Sequence, residues 1–202
     1  MNARLPHSSV NPHADPTAPP RERILQAARD LFYRDGLHTV GVDAIAAAAQ
    51  TNKMTLYRHF GSKDQLIAAY LSSLAVEGEA LWSAIEAAHK DDPTARLEAW
   101  LDTVDQRLKD SGARGCAIAN AAVELPAGHR ARRIIEDYKS RKRDRLMRLL
   151  DACGYAAPDR LADEIFLMFE GAQISMQCAG KGGPALRLIP MVRALLATAA
   201  KV

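Results

Sequence analysis

Apolar residues recur at helical spacing through most of the chain, and no stretch alternates apolar and β-branched positions long enough to make a strand. Ile24, Leu25, Ala28, Leu31 and Phe32 form a stripe that predicts a first helix over 21–34. Gly36 stands where a left-handed cap would end it. A second helix is expected from Val42, with Gly41 as its N-cap and with Ile45 and Ala46 or Ala49 facing inward. A short third helix, from Asn52 or Lys53 to His59, would be anchored by Leu56 and Phe60. Ser62 and Gln65 stand in the relation of a capping box and open a fourth helix that reaches Ala88. Asp92 and Pro93 mark a new start. The fifth helix runs over 93–109 and ends near Ser111 and Gly112. A shorter piece over 115–124 is closed by Leu125 and Pro126. Longer helices follow over 129–152, stopped by Gly154, and over 158–179. The last spans 184–200, set off by Gly180, Lys181, Gly182 and Gly183 with Pro184 at the restart. No internal repeat of fixed period is present. The pattern predicts an all-α protein, a small three-helix head followed by a larger helical domain.

Ahead of these helices, residues 1–20 hold five of the ten prolines, Pro6, Pro12, Pro16, Pro19 and Pro20. Such a segment resists helix and buries little, so a disordered tail is expected there. The 202 residues are 48% apolar, enough for a real core, while the low aromatic share of 5% and the abundant alanine favour helix over strand. A formal charge of +3 is compatible with a nucleic-acid partner and too mild to require one. Cys116, Cys153 and Cys178 lie far apart without a C-x-x-C pair, which argues against a disulfide framework or a zinc site. No cofactor is expected. The chain start lacks an apolar signal core and no run of about 18 apolar residues exists, so no membrane partner is expected and a cytoplasmic location is.

The chemistry concentrates in 42–63. Two short helices joined by a tight turn fit there, and the second carries Asn52, Lys53, Thr55, Tyr57, Arg58 and His59, groups that bind phosphate and base edges. A DNA major groove accepts such a pair. Residues early in a recognition helix point deepest, which assigns Asn52, Lys53 and Met54 to base edges. Lys53 would donate to guanine O6 and N7, Asn52 would meet adenine, and Met54 a thymine methyl. The competing reading packs Tyr57 inside the three-helix core and leaves Arg58 as a solvated or peripheral phosphate residue.

Thr55 to Phe60, then Ser62, Lys63, Asp64 and Leu66, resemble the TetR family of bacterial transcriptional repressors. The resemblance extends back through Ile24, Ala27, Ala28, Leu31, Phe32, Gly36, Val42, Ile45, Ala46 and Ala49, and covers about residues 21–67. It implies a helix-turn-helix DNA-binding domain over 21–67 and an effector-binding and dimerisation domain over 68–202. It also implies that Thr55, Tyr57, His59 and Lys63 hold DNA phosphates. Each carries a donor, and Lys63 lies at a helix N-terminus, whose free amides favour anions. Three positions depart from the family pattern. Gln50 replaces the turn glycine, at roughly 1 kcal/mol if left-handed. Thr51 replaces an apolar residue, and Gly41 replaces a Thr or Ser cap.

The resemblance further implies a homodimer, with the last two helices of each chain forming a four-helix bundle and the two heads reading a near-palindromic operator in double-stranded DNA with half-sites about 34–36 Å apart or more. Leu161, Ile165, Met168, Phe169, Ala172 and Met176, then Leu188, Ile189, Val192, Leu195 and Leu196, supply apolar faces for it, unless these merely complete one chain's core. An effector pocket for an unknown small molecule would lie between helices of the larger domain. Its candidate liners are Trp82, Trp100, Asn120, Glu124, Tyr138, Phe166, Glu170 and Gln173, each individually more often plain packing than ligand contact. The expected function is a DNA-binding transcriptional regulator, a repressor released by that effector, with activation left open because operator position sets the sign. The basic run from Arg130 to Arg148, interleaved with Glu136, Asp137 and Asp144, reads as a solvated helix face with local ion pairs rather than a second nucleic-acid surface. No nucleophile elbow, His-Glu-x-x-His or phosphate loop is present, so no enzyme is expected. The rival to regulation is a sequence-tolerant architectural DNA binder or a helical interaction adaptor without an effector.

Overall fold

A computed structural model describes residues 17–110, 114–180 and 183–202. Among these the fold is all-α, and no strand is present; a single isolated bridge joins Tyr155 to Lys201. The helices are α1 (Pro20–Asp35), α2 (Val42–Ala48), α3 (Lys53–Phe60), α4 (Lys63–Ala88), α5 (Pro93–Asp110), α6 (Ala117–Glu124), α7 (Arg132–Ala152), α8 (Pro158–Ala179) and α9 (Leu188–Thr198), the last preceded by a 3-10 turn, Pro184–Arg187.

Most starts and stops have a local cause. Pro20 and Pro158 occupy the first helical position, where a missing N–H costs nothing. The Asp92 carboxylate accepts the Ala95 amide at 2.9 Å and caps α5. Gly154 and Gly180, both at positive φ, follow the ends of α7 and α8. Three boundaries differ from the sequence expectation. The positive φ of Gly115 keeps it out of α6, which opens at Ala117. His129 uses its Nδ1 to accept the Ala131 amide at 3.1 Å, so 129–131 form a turn and α7 begins at Arg132. The segment 184–200 is not one helix, because Pro190 lacks an N–H and its ring clashes with the carbonyl four residues back. The chain takes a 3-10 turn first and restarts as α9, with Pro190 in the first turn. Of the tail prolines, Pro6, Pro12 and Pro16 lie outside the described residues, as do Ser111, Gly112, Lys181 and Gly182. Pro19 and Pro20 belong to the start of α1.

Contacts divide the chain into two compact units: Met1–Val76 with Cys116–Glu136, and Glu77–Gly115 with Asp137–Val202. The core of the first unit is the meeting of α1, α2 and α3 through Ile24, Ala28, Ile45, Ala49 and Leu56, all fully buried. Phe32 packs against Tyr70 with ring centroids 5.5 Å apart. Leu31, expected in the α1 stripe, is only half-buried, and Ala27 is buried beside Ile24.

The second unit is built on Trp82 and Trp100, stacked at 5.6 Å and surrounded by Leu97, Leu101, Leu150, Ile165, Met176, Leu188 and Val192. Basic residues of α7 are tied to neighbouring helices rather than free: Arg141 and Arg145 to Glu79, Lys139 to Glu170 and Arg143 to Asp163. The Arg143 guanidinium holds the Asp163 carboxyl below its usual range. Lys142 lies over the Phe169 ring at 3.5 Å. Lys139, Arg141, Arg143 and Arg145 of the basic run thus pair with acids of neighbouring helices.

Candidate nucleic-acid interface

The site is assembled by a turn between α2 and α3. The Gln50 amide donates to Ala47 O at 3.0 Å and the Thr51 amide to Ala46 O at 2.9 Å, while Gln50 sits at φ 50°. This is a Schellman-type ending with a non-glycine residue at the left-handed position, which costs about 1 kcal/mol. Arg23 of α1 offsets it. Its Nε donates to Ala49 O at 3.1 Å, its Nη2 to Gln50 O at 3.4 Å and its Nη1 to Ala18 O at 3.3 Å. A cation thus meets the carbonyl end of α2, where the helix dipole favours it. Sequence reasoning missed Arg23, because nothing local to α1 shows that it faces a turn 26 residues away.

Beyond the turn, Asn52 caps α3, with Oδ1 accepting the Thr55 amide at 2.9 Å. Leu56 and Phe60 are buried as anchors. Burying each is worth about 1.5–3 kcal/mol, which fixes which face of α3 looks outward. That face carries Lys53, Met54, Tyr57 and Arg58, all exposed, with Met54 at 80% and Tyr57 at 38%. Tyr57 therefore does not pack inside the core. Lys53 reaches back to Asp43 at 3.3 Å, an exposed pair worth little in water. Thr55 and His59, one turn apart, are half-buried on the flank, and His59 Nε2 is enclosed without a hydrogen-bond partner. Arg21 of α1 lies over the Phe60 ring at 5.1 Å. Gly61, at φ 74°, ends α3, and its amide donates to Tyr57 O at 2.7 Å. The Ser62 hydroxyl then accepts the Gln65 amide at 3.1 Å, and half-buried Lys63 opens α4.

The eight candidate pocket residues are not gathered in one place. Trp82 and Trp100 stack on each other in the core. Phe166 and Glu170 both meet Lys139, which lies 5.7 Å over the ring and 2.5 Å from the carboxylate. Tyr138 presses on Gly78 of α4, where a Cβ would stand 2.8 Å from its ring carbons. Gln173 is buried in α8. Asn120 and Glu124 belong to the other unit, where with Phe32, Tyr33 and Tyr70 they line a crevice too tight for a water molecule. Burial there pushes the Tyr70 hydroxyl well above its ordinary range. Trp100 lines a second, apolar crevice with Phe169 and Leu188 that is equally tight. Among the described residues no group of three His, Cys, Asp or Glu side chains is placed to hold a metal, and no helix is long and apolar enough to cross a membrane.

Residues 24–70 match the family described as bacterial regulatory proteins, tetR family. An HTH-type transcriptional repressor of Mycobacterium tuberculosis is 44% identical over 54 residues, 27% of this chain and 29% of that protein, so this chain spans under a third of that relative's length in the match. A TetR-family transcriptional regulator of Streptomyces coelicolor superposes with a TM-score of 0.81 at 28% identity, over 88% of this chain and 94% of its own. A TetR transcriptional regulator of Streptomyces avermitilis does so with a TM-score of 0.73 at 30% identity, over 92% of this chain and 100% of its own. An exposed polar face on a short helix after a tight turn, embedded in a fold shared along nearly the whole length of these regulators, places the chain in the TetR family of helix-turn-helix transcriptional regulators.

Proposed function

We propose that the chain is a repressor that reads a near-palindromic operator as a homodimer and lets go when a small molecule binds its larger helical domain. One observation supports this most directly: α3 is anchored by Leu56 and Phe60 and turns Lys53, Met54, Tyr57 and Arg58 to solvent. DNA reading falls to 21–67, while effector binding and dimerisation fall to 68–202.

Lys53 and Met54, in the first turn of α3, take the base edges. Lys53 has to leave only an exposed carboxylate, Asp43, to reach them. Asn52 contributes from its amide nitrogen, because its Oδ1 already serves the Thr55 amide. Thr55, Tyr57 and Lys63 take phosphates, with His59 donating from Nδ1, since its Nε2 is enclosed. Backbone contacts set register and base contacts set sequence, so the two groups separate by experiment.

A second copy of the chain is the occupant that suits the outer face of α8 and α9. Leu167 (70% exposed), Gly171 and Ile174 (47%) follow at four- and three-residue spacing along α8, and Met191 (53%) is exposed on α9. A Cβ at Gly171 would meet nothing within 4 Å, so the position leaves room for another helix. The crevice beside Trp100 holds no water-sized space, so an effector seated there parts helices to enter. To move the population from 1:99 to 99:1 it must prefer the parted state by about 5.5 kcal/mol. Trp82, Trp100, Tyr138, Phe166, Glu170 and Gln173 remain the residues to substitute first in mapping it, together with Asn120 and Glu124.

Selection of bound duplexes from a random pool tests the reading. A discrete inverted repeat is expected. Diffuse recovery with no consensus would instead support a sequence-tolerant architectural binder. On the recovered operator, Tyr57→Ala should weaken binding to all sequences alike with the salt slope nearly unchanged, whereas Lys53→Ala should relax preference at one base pair by about 1–3 kcal/mol. Wild-type binding by both variants would overturn the assignment.

A further inference from the structure

The helix α6 is wired into the DNA-reading unit by one carboxylate. Leu37 is buried in the loop between α1 and α2, so its N–H needs an acceptor. Glu124, 87 positions away, supplies it: Oε2 accepts the Leu37 amide at 2.5 Å and the His38 amide at 3.4 Å. The contact is returned. His38 Nε2 lies 2.6 Å from the Glu124 carbonyl oxygen, and since a carbonyl can only accept, this nitrogen carries the proton. Gly36 makes room, for a Cβ there would stand 3.0 Å from Oε2.

Glu124 is the last residue of α6, the end where a helix dipole disfavours an anion. The loop amides, and Arg132, compensate. Arg132 donates to Ala122 O at 2.8 Å and Leu125 O at 2.7 Å, capping the same end. A few residues on, His129 Nε2 comes within 3.5 Å of Asp64 in the first turn of α4 without making a hydrogen bond to it. The segment 116–136 therefore holds the loop that precedes α2 and lies beside the helix start that follows α3. Both ends of that segment continue covalently into the other unit, at Gly115 and Asp137.

We propose that Glu124 is the positioning residue through which the state of α6 sets the pose of the DNA-reading helices. When α6 holds, its carboxylate fixes the loop ahead of α2; when α6 moves, two amides lose their acceptor and the pair is freed. The proposal rests on the operator-binding function proposed above and adds the residue that regulates it. Because coupling is reciprocal, DNA must be felt at α6.

Hydrogen exchange of the full-length chain, with and without the operator duplex recovered by selection, reads this directly. In the wild type, DNA is expected to slow exchange over 53–60 and also over 117–125. In Glu124→Ala, free-state exchange of the Leu37 and His38 amides should rise about tenfold, as expected for losing a charged acceptor. DNA should still protect 53–60 in this variant, but protection over 117–125 should vanish. Glu124→Gln keeps one acceptor oxygen and should fall between the two; it also serves if the alanine variant melts too early to study. Protection over 117–125 that persists in both variants, or that never appears in a wild type whose 53–60 is protected, overturns the proposal. A wild type that shows no protection at 53–60 refutes the operator-binding function itself, and the coupling with it.

Discussion

Replacing Arg23 by alanine should loosen the turn that aims α3 while leaving every exposed side chain of α3 intact. The arginine donates to Ala49 O at 3.1 Å and Gln50 O at 3.4 Å. A hydrogen bond from a charged group is worth about 1.5–3 kcal/mol. One of these two is long and Arg23 is half-exposed, so about 1–2 kcal/mol is the reasonable figure after discounting for solvent. The turn carries its own test amides, since Gln50 donates to Ala47 O and Thr51 to Ala46 O. Their native-state exchange measures local opening, and Arg23→Ala should speed it about 5–30-fold. Gln50 at φ 50° supplies the control. Gln50→Gly removes strain of about 1 kcal/mol, so the arginine has less to restrain. The cost of Arg23→Ala should then shrink by about 0.5 kcal/mol or more in that background, a coupling a double-mutant cycle resolves. Trp fluorescence is the wrong probe here, because Trp82 and Trp100 both lie in the other unit. If a folded Arg23→Ala chain exchanges these two amides at the wild-type rate, the arginine does not hold the turn. If the two substitutions are additive, it does not hold it against the Gln50 strain.

Two further outcomes follow from packing and burial. Gly78→Ala should gain about 1 kcal/mol of helix propensity, yet its Cβ would stand 2.8 Å from the Tyr138 ring. Overpacking costs about 1–3 kcal/mol, so urea denaturation should show a net loss, partly recovered by adding Tyr138→Phe; a stabilised Gly78→Ala would mean that α7 yields easily there. Burial pushes the Cys153 thiol above its ordinary range, with Lys201 and Arg96 opposing less strongly. With Cys116→Ser and Cys178→Ser in place, a neutral thiol reagent near pH 7.5 should therefore label Cys153 about tenfold or more slowly than the unfolded chain does. Equal rates would show that the thiolate is not suppressed.

The reading pair was legible because its signals are local. Leu56 and Phe60 sit four residues apart in a short segment ended by Gly61, so their burial and the exposure of Lys53, Met54 and Tyr57 follow from a 3.6-residue period. The positive φ of Gln50 could be anticipated from the glycine that the family places there. What lay hidden depends on contacts between distant positions. Glu124 reads as one more carboxylate near a helix end, and its partners at 37 and 38 carry no mark in the sequence. Trp82 and Trp100 stand in the sequence as candidate pocket liners, but their stacking is set by how α4 meets α5. The break before α9 had a local signal, Pro190, that a continuous apolar pattern outweighed.

These differences bear on how such a head is held. Its reading helices are short, and α2 is only seven residues long. Helices of that length are marginal in water without tertiary support. Part of the support for α2 and α3 comes from beyond them, from Arg23 of α1 at the turn and Glu124 at the loop before α2. A reading pair stabilised from without has a pose that its surroundings can shift, whereas a self-contained one would keep a fixed DNA preference.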